Sequence, residues 1–526
     1  MTHVSPGVRV ARGATYMFVS GFAVSVIGLF YIVGVTRALL KEDMGIFAML
    51  NLFIAAAQTF GTLALTSAAV KYIAQYLAEK QVDRAKSVAS VILRIWLVAS
   101  ILFSLVLFFS AELLSLWLFN VPSYTWLFQV LALVAFLNII YLGVTSFLQG
   151  LQKMFELSLV SLVFAGLQSS FGIYFIFTGL GLLGIVYGWL IGVSISLLIS
   201  LALTYQFLGI TRKSHPIKPM LEFSSPLYLA NILNFFVSWA DQIFVLSYMG
   251  AVSGLLEAER ILGTYHIAVR ASIVPSLLFT STITALFPQL TELYTQNGAK
   301  SLKAAFHTST RYATLIGFPT IIGLAALAYP IIILFAGWEY KGAALPLIIL
   351  CISMLPTTLG VAITAILMTM ERTKIASLIT IVSLISELGV LYIFLAYVNL
   401  GIFGAALSRV VMAIVGFALG VFALRKSPGL SFDKDALWKG SVSCAIMVFA
   451  IVLLDVVRQY FSSSQQFLIF DLHLLLIYVV VGSVAYFLSL VALRAIKRQD
   501  IELAQEYLPS GLKPIAKWLE RIAHVK

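Results

Sequence analysis

The stretch LLGIVYGWLIGVSISLLISLALTYQFL, residues 182–208, contains no charged side chain. A run of about 20 apolar residues is long enough for an α-helix to cross the hydrocarbon core of a bilayer. A transmembrane β-strand would instead alternate apolar and polar residues over about ten positions. Because backbone N–H and C=O groups must pair within the element in lipid, this stretch predicts a membrane-spanning helix.

The rest of the chain repeats this pattern. Of 526 residues, 61% are hydrophobic and 11% are charged, whereas soluble domains carry about 25% charged residues. The apolar runs predict an all-α polytopic membrane protein with fourteen spans. The predicted spans are 13–36, 44–69, 87–110, 125–148, 157–178, 182–208, 226–249, 261–287, 305–328, 343–369, 375–396, 401–424, 440–457 and 473–493.

Charge placement predicts the orientation of the chain. The chain has 34 Lys and Arg residues and 22 Asp and Glu residues, a formal net charge of +12. If the N-terminus is cytoplasmic, most of them fall in the terminal tails and the even-numbered loops, which is the positive-inside pattern. We therefore expect a multi-pass protein of the cell (plasma) membrane with both termini in the cytoplasm. No basic patch sits on a soluble domain, so no nucleic-acid partner is expected.

Motifs for enzymatic chemistry are missing from the sequence. Cys351 and Cys444 both lie inside apolar runs, which indicates small core residues rather than a disulfide or a metal site. The segment around 298–301 lacks the upstream glycine of a phosphate-binding loop, and there is no HExxH or GxSxG. We expect no enzyme, no cofactor and no metal.

The sequence also resembles itself at a period near 219 residues. Gly45-Ile-Phe-Ala aligns with Gly263-Thr-Tyr-His, and Leu180-Gly-Leu-Leu-Gly matches Leu400-Gly-Ile-Phe-Gly. Between these, Ser158, Ser161 and Gln168 correspond to Ser377, Thr380 and Glu387. Three matches in the same order indicate a duplication of six spans. Because six is even, the two halves enter the membrane in the same orientation and are expected around a pseudo-two-fold axis along the membrane normal.

The repeat predicts the domain organisation. An N-terminal six-helix bundle covers 1–210, its repeat covers 211–430, and two additional transmembrane helices cover 431–494. Residues 495–526 place apolar side chains at helical spacing among basic ones. That pattern suits a cytoplasmic amphipathic helix on the inner leaflet or, equally, a solvated tail.

Polar side chains recur at helical spacing inside the predicted spans. Asn231, Asn234, Ser238 and Asp241 of span seven are spaced 3, 4 and 3, which places them on one helix face. The other candidates are His266 and Arg270 in span eight, Gln58 in span two, Gln168 in span five and Glu387 in span eleven. Charged groups at bilayer depth are costly and usually face a cavity or a partner.

These stripes have two interpretations. One is a hydrophilic central cavity with a cationic group, foremost Arg270, that pairs with phosphate. The other is hydrogen bonding between helices, with Asp241–Arg270 as a structural ion pair. Because the stripes occupy helices of both halves, we favour the cavity. Arg94 and Arg409 lie near the ends of their spans, where long side chains can reach the membrane surface.

Three segments resemble a known family. They are TRALLKEDMGIFAML at 36–50, GTYHIAVRASIV at 263–274 and LFPQLTELY at 286–294. Together with six plus six plus two spans, they resemble the polysaccharide-transporter (O-antigen flippase) family of the multidrug/oligosaccharidyl-lipid/polysaccharide exporter superfamily. The resemblance covers about residues 10–425.

The resemblance implies a fold and a function. The fold is two pseudo-symmetric six-helix bundles in a V shape plus two C-terminal helices, and the protein is a flippase that moves a polyprenyl-linked oligosaccharide by alternating access. Arg270 would hold the phosphate, and Asp241, Asn231, Asn234 and Gln58 would line the glycan path. Expected partners are the glycan substrate, membrane lipid and glycosyltransferases or a polymerase of the same pathway, and a monomer is expected.

Two alternatives stay open. A proton- or sodium-coupled multidrug antiporter of the same superfamily usually has an acidic residue in span one, whereas 13–36 carries no charge. Asp241 and Glu387 could still bind a coupling ion. A non-transporting scaffold of a glycan-assembly complex would not need aligned polar stripes. The peptidoglycan-precursor flippases rank lower, because their charged residues deep in spans one and two have no counterpart here.

Overall fold

The computed structural model describes residues 6–207, 216–273, 275, 299–370, 372–425, 431–461 and 472–497. All regular elements in these ranges are helices. The protein is an all-α polytopic membrane protein. It divides into two compact units, Met1–His266 and Ile267–Lys526.

The first unit is built around one central helix. Its helices are α1 (Pro6–Ala38), α2 (Lys41–Ala56), α3 (Leu65–Ala78), α4 (Val82–Phe109), α5 (Ala111–Phe119), α6 (Thr125–Gly150), α7 (Met154–Phe175), α8 (Gly181–Thr204), α9 (Lys218–Ser253) and most of α10 (255–273). Helix α6 packs against α3, α4 and α8. Its small residues permit this, since Gly143 lies directly against the indole of Trp96 from α4.

The second unit has a similar plan. Its helices are α11 (Ala299–Tyr312), α12 (Phe318–Ala326), α13 (Ala328–Ala336), α14 (Ala344–Thr369), α15 (Thr373–Ala396), α16 (Gly401–Leu424), α17 (Lys434–Phe461) and α18 (Leu472–Ala492). Helix α16 packs against α14 and α15. The two additional helices, α17 and α18, bury Met447 and Tyr486 in a cluster with Phe318 of α12.

Eleven helices in the described part of the chain are long and apolar enough to cross a membrane, or twelve if the pair Phe306–Ala326 and Ala328–Ala336, bent by 67°, is one span. One of the eleven, Met154–Thr204, is 51 residues long. The backbone is non-helical at Gly179, and the two parts of this stretch, α7 and α8, pack against each other, so the stretch folds back on itself. The second half of the predicted eighth span lies outside the described residues. The count of fourteen therefore stays a prediction.

The duplicated glycines adopt the same backbone conformation in both units. Gly181 and Gly401 begin α8 and α16 with φ of +52° and +54°, a left-handed region that glycine enters without steric cost. Three residues on, Gly184 leaves no room for a side chain beside Phe175, and Gly404 leaves none beside Phe394. The local structure thus repeats with the sequence. The predicted boundaries at 210, 430 and 494 stay predictions, and the proposed tail helix lies almost wholly outside the described residues.

Candidate functional site

A polar cluster joins α9 and α10 in the first unit. The hydroxyl of Tyr265 donates to Oδ2 of Asp241 at 2.5 Å, and Nδ1 of His266 lies 2.7 Å from Oε1 of Gln242. All four side chains are at most 1% exposed. Two consecutive residues of one helix therefore meet two consecutive residues of the other. Because an unpaired buried carboxylate is costly, these contacts are what allow Asp241 to be buried here.

Aromatic rings complete the surroundings of His266. Trp239 stacks on its imidazole with centroids 6.2 Å apart, and Phe47 of α2 meets it edge-on at 6.0 Å. Aromatic pairs favour these offset and edge-to-face arrangements. His266 is thus fixed on its faces by rings and at Nδ1 by an amide, so it is a rigid part of the cluster.

The polar face of α9 continues beyond this cluster. Asn231, Asn234 and Ser238 are exposed, whereas Asp241 on the same face is buried. On α10, Arg270 is half-buried and follows His266 by four residues, which is about one helical turn. The polar residues predicted from spacing thus lie on helices. On α9 they range from exposed amides to the buried, hydrogen-bonded Asp241.

Helix α2 ends at a break in the middle of the predicted second span. It continues as a π-helical turn over Ala57–Gly61, and then Leu63 and Ala64 both take a φ of +53° before α3 begins. The indole N–H of Trp96 donates to the freed carbonyl of Thr62 at 3.0 Å. Non-helical backbone is tolerated at membrane depth only where its polar groups find such partners.

Two further candidate residues of the first unit are Gln58, at the break after α2, and Gln168, in α7. Gln58, in the π-helical turn, is exposed and donates to Oδ1 of the buried Asn138 at 3.3 Å. Gln168 of α7 is half-buried. Its main chain lies so close to Gly188 and Gly192 of α8 that neither position has room for a side chain.

Glu387 belongs to the second unit. It is fully buried in α15, and its Oε1 lies 3.8 Å from Nε of Arg409 in α16. The position of Arg409 near the end of its span is one from which the side chain can reach the membrane surface, but in the structure it lies beside this carboxylate. A nearby opposite charge offsets part of the cost of burying Glu387. Arg94 donates to the hydroxyl of Ser90 one turn earlier on its own helix.

The structure thus brings only some of the predicted residues together. Asp241 and His266 share the α9–α10 cluster, Gln58 and Gln168 lie elsewhere in the first unit, and Glu387 forms its own pair. Sequence reasoning missed Gln242 and Tyr265. Gln242 is off the 3-4-3 stripe, and the only available signal was its position next to Asp241. Among the described residues, no group of three or more His, Cys, Asp or Glu side chains could hold a metal ion.

A second missed cluster lies in the second unit. Arg311 of α11, 4% exposed, has Nη1 at 3.3 Å from Oδ2 of Asp433 and donates through Nη2 to the carbonyl of Ala495 at 2.6 Å. Lys497 is also 3.3 Å from Asp433. These contacts connect α11 to the start of α17 and to the segment after α18. Burial disfavours the charged form of Asp433, but the N–H of Ala436 together with Lys497 and Arg311 outweighs it, and the pKa lies below its ordinary value.

Two known proteins are similar to this chain in sequence. A 215-residue stretch is 26% identical to an uncharacterized membrane protein in the cps region of Klebsiella pneumoniae, over 41% of this chain and 42% of that protein. A 165-residue stretch is 26% identical to the lipopolysaccharide biosynthesis protein WzxC of Escherichia coli (strain K12), over 30% of this chain and 33% of that protein. The matched stretches thus span less than half of either relative.

Solved structures show the same fold at low identity. The lipid II flippase MurJ in an inward closed conformation has a TM-score of 0.67 at 18% identity, over 90% of this chain and 97% of that one. An inward-facing multidrug resistance MATE family transporter has a TM-score of 0.63 at 20% identity, over 76% and 95%.

The family assignment rests on the sequence profile described as "Polysaccharide biosynthesis protein", which matches residues 35–345. That match covers more than half of the chain. It includes α9 and α10, the helices that carry the Asp241–His266 cluster. The fold agrees with transporters of the multidrug/oligosaccharidyl-lipid/polysaccharide exporter superfamily. The chain therefore belongs to the polysaccharide biosynthesis protein family of membrane proteins.

Proposed function

We propose that the protein is a flippase that moves a lipid-linked oligosaccharide, of the polysaccharide or O-antigen repeat type, across the plasma membrane by alternating access. The observation that carries this proposal is the polar face of α9 and α10 inside apolar helices of a polysaccharide biosynthesis family member. A glycan needs hydrogen-bonding groups within the bilayer, and intramembrane polar residues usually mark a substrate path.

The residue types on α9 suit a neutral, hydroxyl-rich substrate. Asn231, Asn234 and Ser238 are exposed on one face and offer donors and acceptors without a net charge. Gln58 adds a further exposed amide. In this proposal they line the glycan path, while Asp241 and His266 hold α9 and α10 in register beneath it. Gln168 and Glu387, at repeat-equivalent positions, stay candidates for substrate contact.

The lipid carrier adds a phosphate, which requires a cation. Arg270 is half-buried on α10, one turn beyond His266. A guanidinium binds phosphate oxygens through two parallel N–H groups and keeps its charge at any physiological pH. We therefore assign Arg270 to the phosphate while the polyprenyl tail stays in lipid. In this proposal both termini lie in the cytoplasm. The protein acts as a monomer, and its candidate partners are glycosyltransferases or a polymerase.

The test is a flipping assay in proteoliposomes. A labelled polyprenyl-linked oligosaccharide is incorporated, and the accessibility of its glycan to an impermeant reagent is followed over time. Arg270→Ala is expected to abolish protein-dependent flipping at normal membrane levels, because the phosphate loses its counter-charge. Arg94→Ala, which removes another arginine from an apolar helix, is expected to leave flipping intact. Full activity of Arg270→Ala would remove this residue from the substrate path.

A second candidate function is an ion-coupled multidrug antiporter. The observation that favours it is Glu387, a fully buried carboxylate beside Arg409 that could exchange a proton or sodium ion. This reading predicts export of cationic drugs that collapses when ion gradients are dissipated and that is lost in Glu387→Gln. Glu112→Gln, on an exposed position of α5, is the matched control. Unaltered drug sensitivity of expressing cells would count against it.

A further inference from the structure

Helices α2 and α10 cross with their main chains in contact. A methyl group placed on Gly45 would lie 2.2 Å from the carbonyl oxygen of Glu259, and one placed on Gly263 would lie 2.6 Å from the carbonyl oxygen of Lys41. Both helices contribute these residues to the first unit. Small residues at a crossing allow backbones to approach in this way.

The crossing is symmetric with respect to the internal repeat. Gly45 and Gly263 are equivalent in the alignment, and each touches the carbonyl of the residue four positions before the other. Lys41 and Glu259 are likewise equivalent. A contact in which the same patch is used on both sides is what a two-fold axis produces. The axis of the duplicated sequence therefore runs through this crossing.

An ion pair lies beside the glycines on the same axis. Arg260 donates through Nε to Oε1 of Glu42 at 2.6 Å, and its Nη2 lies 2.6 Å from the same oxygen. The two residues are 218 positions apart, so they too are equivalent in the repeat. Their side chains are 46% and 22% exposed. Ion pairs that solvent can reach are weak and can be broken at low cost.

We propose that this crossing is a reversible closure on the face of the membrane that the positive-inside pattern places outside. The outer ends of α2 and α10 part along their shared axis when the path opens to that face. This inference rests on the proposed transport function and assigns it a gate. Gly45 and Gly263 form the seal, because no side chain protrudes between the backbones, and Glu42–Arg260 is its latch.

The break in the second span supplies the pivot. Leu63 and Ala64 interrupt the helical hydrogen bonds between α2 and α3, so the outer segment Lys41–Gly61 can tilt without bending a continuous helix. The carbonyls of Thr62 and Ala64 are bonded by Trp96 at 3.0 Å and Ser224 at 3.4 Å. The break is therefore a built part of the fold. It lies on the opposite side of the π-helical turn from the seal.

The closure can be tested without a substrate. Leu40 and Leu256 are 69% and 57% exposed next to the crossing, so Leu40→Cys and Leu256→Cys can carry spin labels, and both native cysteines are buried. Distances between the labels are measured by pulsed electron paramagnetic resonance in nanodiscs. Arg260→Glu, which sets two carboxylates against each other, is expected to shift the distances to longer values. The swap Glu42→Arg with Arg260→Glu is expected to restore the short ones. The same short distance in Arg260→Glu as in the parent would overturn the proposal.

Cross-linking then connects the closure to transport. Glu42→Cys and Arg260→Cys are joined by a short reducible bis-thiosulfonate reagent in proteoliposomes, and flipping is expected to fall to background and to return on reduction. Asp435→Cys with Lys439→Cys replaces an ion pair within α17 and serves as the control that keeps its activity. Full flipping by the cross-linked protein would overturn the gate. If the reduced protein flips no lipid-linked glycan, the proposed function fails, whereas the distance measurement still decides the closure.

Discussion

The hydroxyl of Tyr265 donates a hydrogen bond of 2.5 Å to the buried carboxylate of Asp241, and both side chains are fully inaccessible. Removing the donor leaves a buried acceptor without this partner, which costs about 1–3 kcal/mol. Tyr265→Phe is therefore expected to lower the thermal unfolding temperature of the detergent-solubilised protein. Tyr329→Phe, at a position that is 51% exposed, should change it little.

A double-mutant cycle tests whether the effect belongs to the pair. With Asp241→Asn in place, Tyr265→Phe should cost less than in the parent, because the charged acceptor is gone. Equal costs of Tyr265→Phe in both backgrounds would mean that the hydroxyl stabilises the protein through another contact.

The close approach at Gly45 and Gly263 predicts that a larger side chain there destabilises the protein. Gly45→Ala would bring its methyl group within 2.2 Å of Glu259, so a backbone must move, and overpacking of this kind costs about 1–3 kcal/mol. Gly389→Ala in α15 meets nothing within 4 Å and should stabilise its helix by up to about 1 kcal/mol, since alanine is the better helix former. Unfolding temperatures that move in the same direction for both variants would contradict the close approach.

The break after α2 depends on one indole. Trp96→Phe removes the N–H that donates to Thr62, together with the outer part of the indole that lies against Gly143. We expect a loss of about 1–3 kcal/mol, because a buried carbonyl at membrane depth is left without its partner. Trp117→Phe, at a 68% exposed position, is the control. Hydrogen exchange across Gly61–Leu65 should increase in Trp96→Phe alone, and unchanged exchange there would contradict the role of the indole.

Asp433 predicts how stability depends on pH. Its pKa lies below the ordinary value because the N–H of Ala436, Lys497 and Arg311 outweigh the effect of burial. A carboxylate with a lowered folded pKa stabilises the protein above its unfolded pKa of about 3.9, and this contribution is lost as the pH falls through the folded value.

The measurement is the unfolding temperature from about pH 7 down to about pH 3, the range that brackets carboxylate titration. Asp433→Asn should be less stable at neutral pH and should lose less stability on acidification than the parent. Asp435→Asn, at the neighbouring exposed carboxylate, should follow the parent. Parallel profiles for Asp433→Asn and the parent would show that this carboxylate is not the group responsible.

Much of the fold could be predicted from the sequence, because apolar length decides where a helix can cross lipid. The glycines at 181 and 401 were recognisable as equivalent, and their backbones agree to within 2° in φ. The break at Leu63 and Ala64 could not be predicted, since neither residue is a glycine or a proline. Its cause lies in partners from other helices, such as Trp96.

For the candidate site, the sequence predicted which helix face is polar but not which residues bond to each other. Spacing alone placed Asp241 on a polar stripe, whereas its bond to Tyr265 depends on how α9 and α10 cross. Arg311 shows the same limit. It lies inside the predicted ninth span, 305–328, and nothing in the sequence named a partner for it, but it is buried and pairs with Asp433, 122 residues away.

The ion pair between Glu42 and Arg260 has a consequence for how such a protein can evolve. In an assembly of two identical chains, a residue on the two-fold axis meets a copy of itself, so a charged residue there always faces a like charge. Joining the two copies in one polypeptide removes this constraint, because each position then mutates alone. An acid on one side and a base on the other can arise only once the two copies have diverged, and the contact at the axis thereby gains an attraction that no symmetric ancestor could have had.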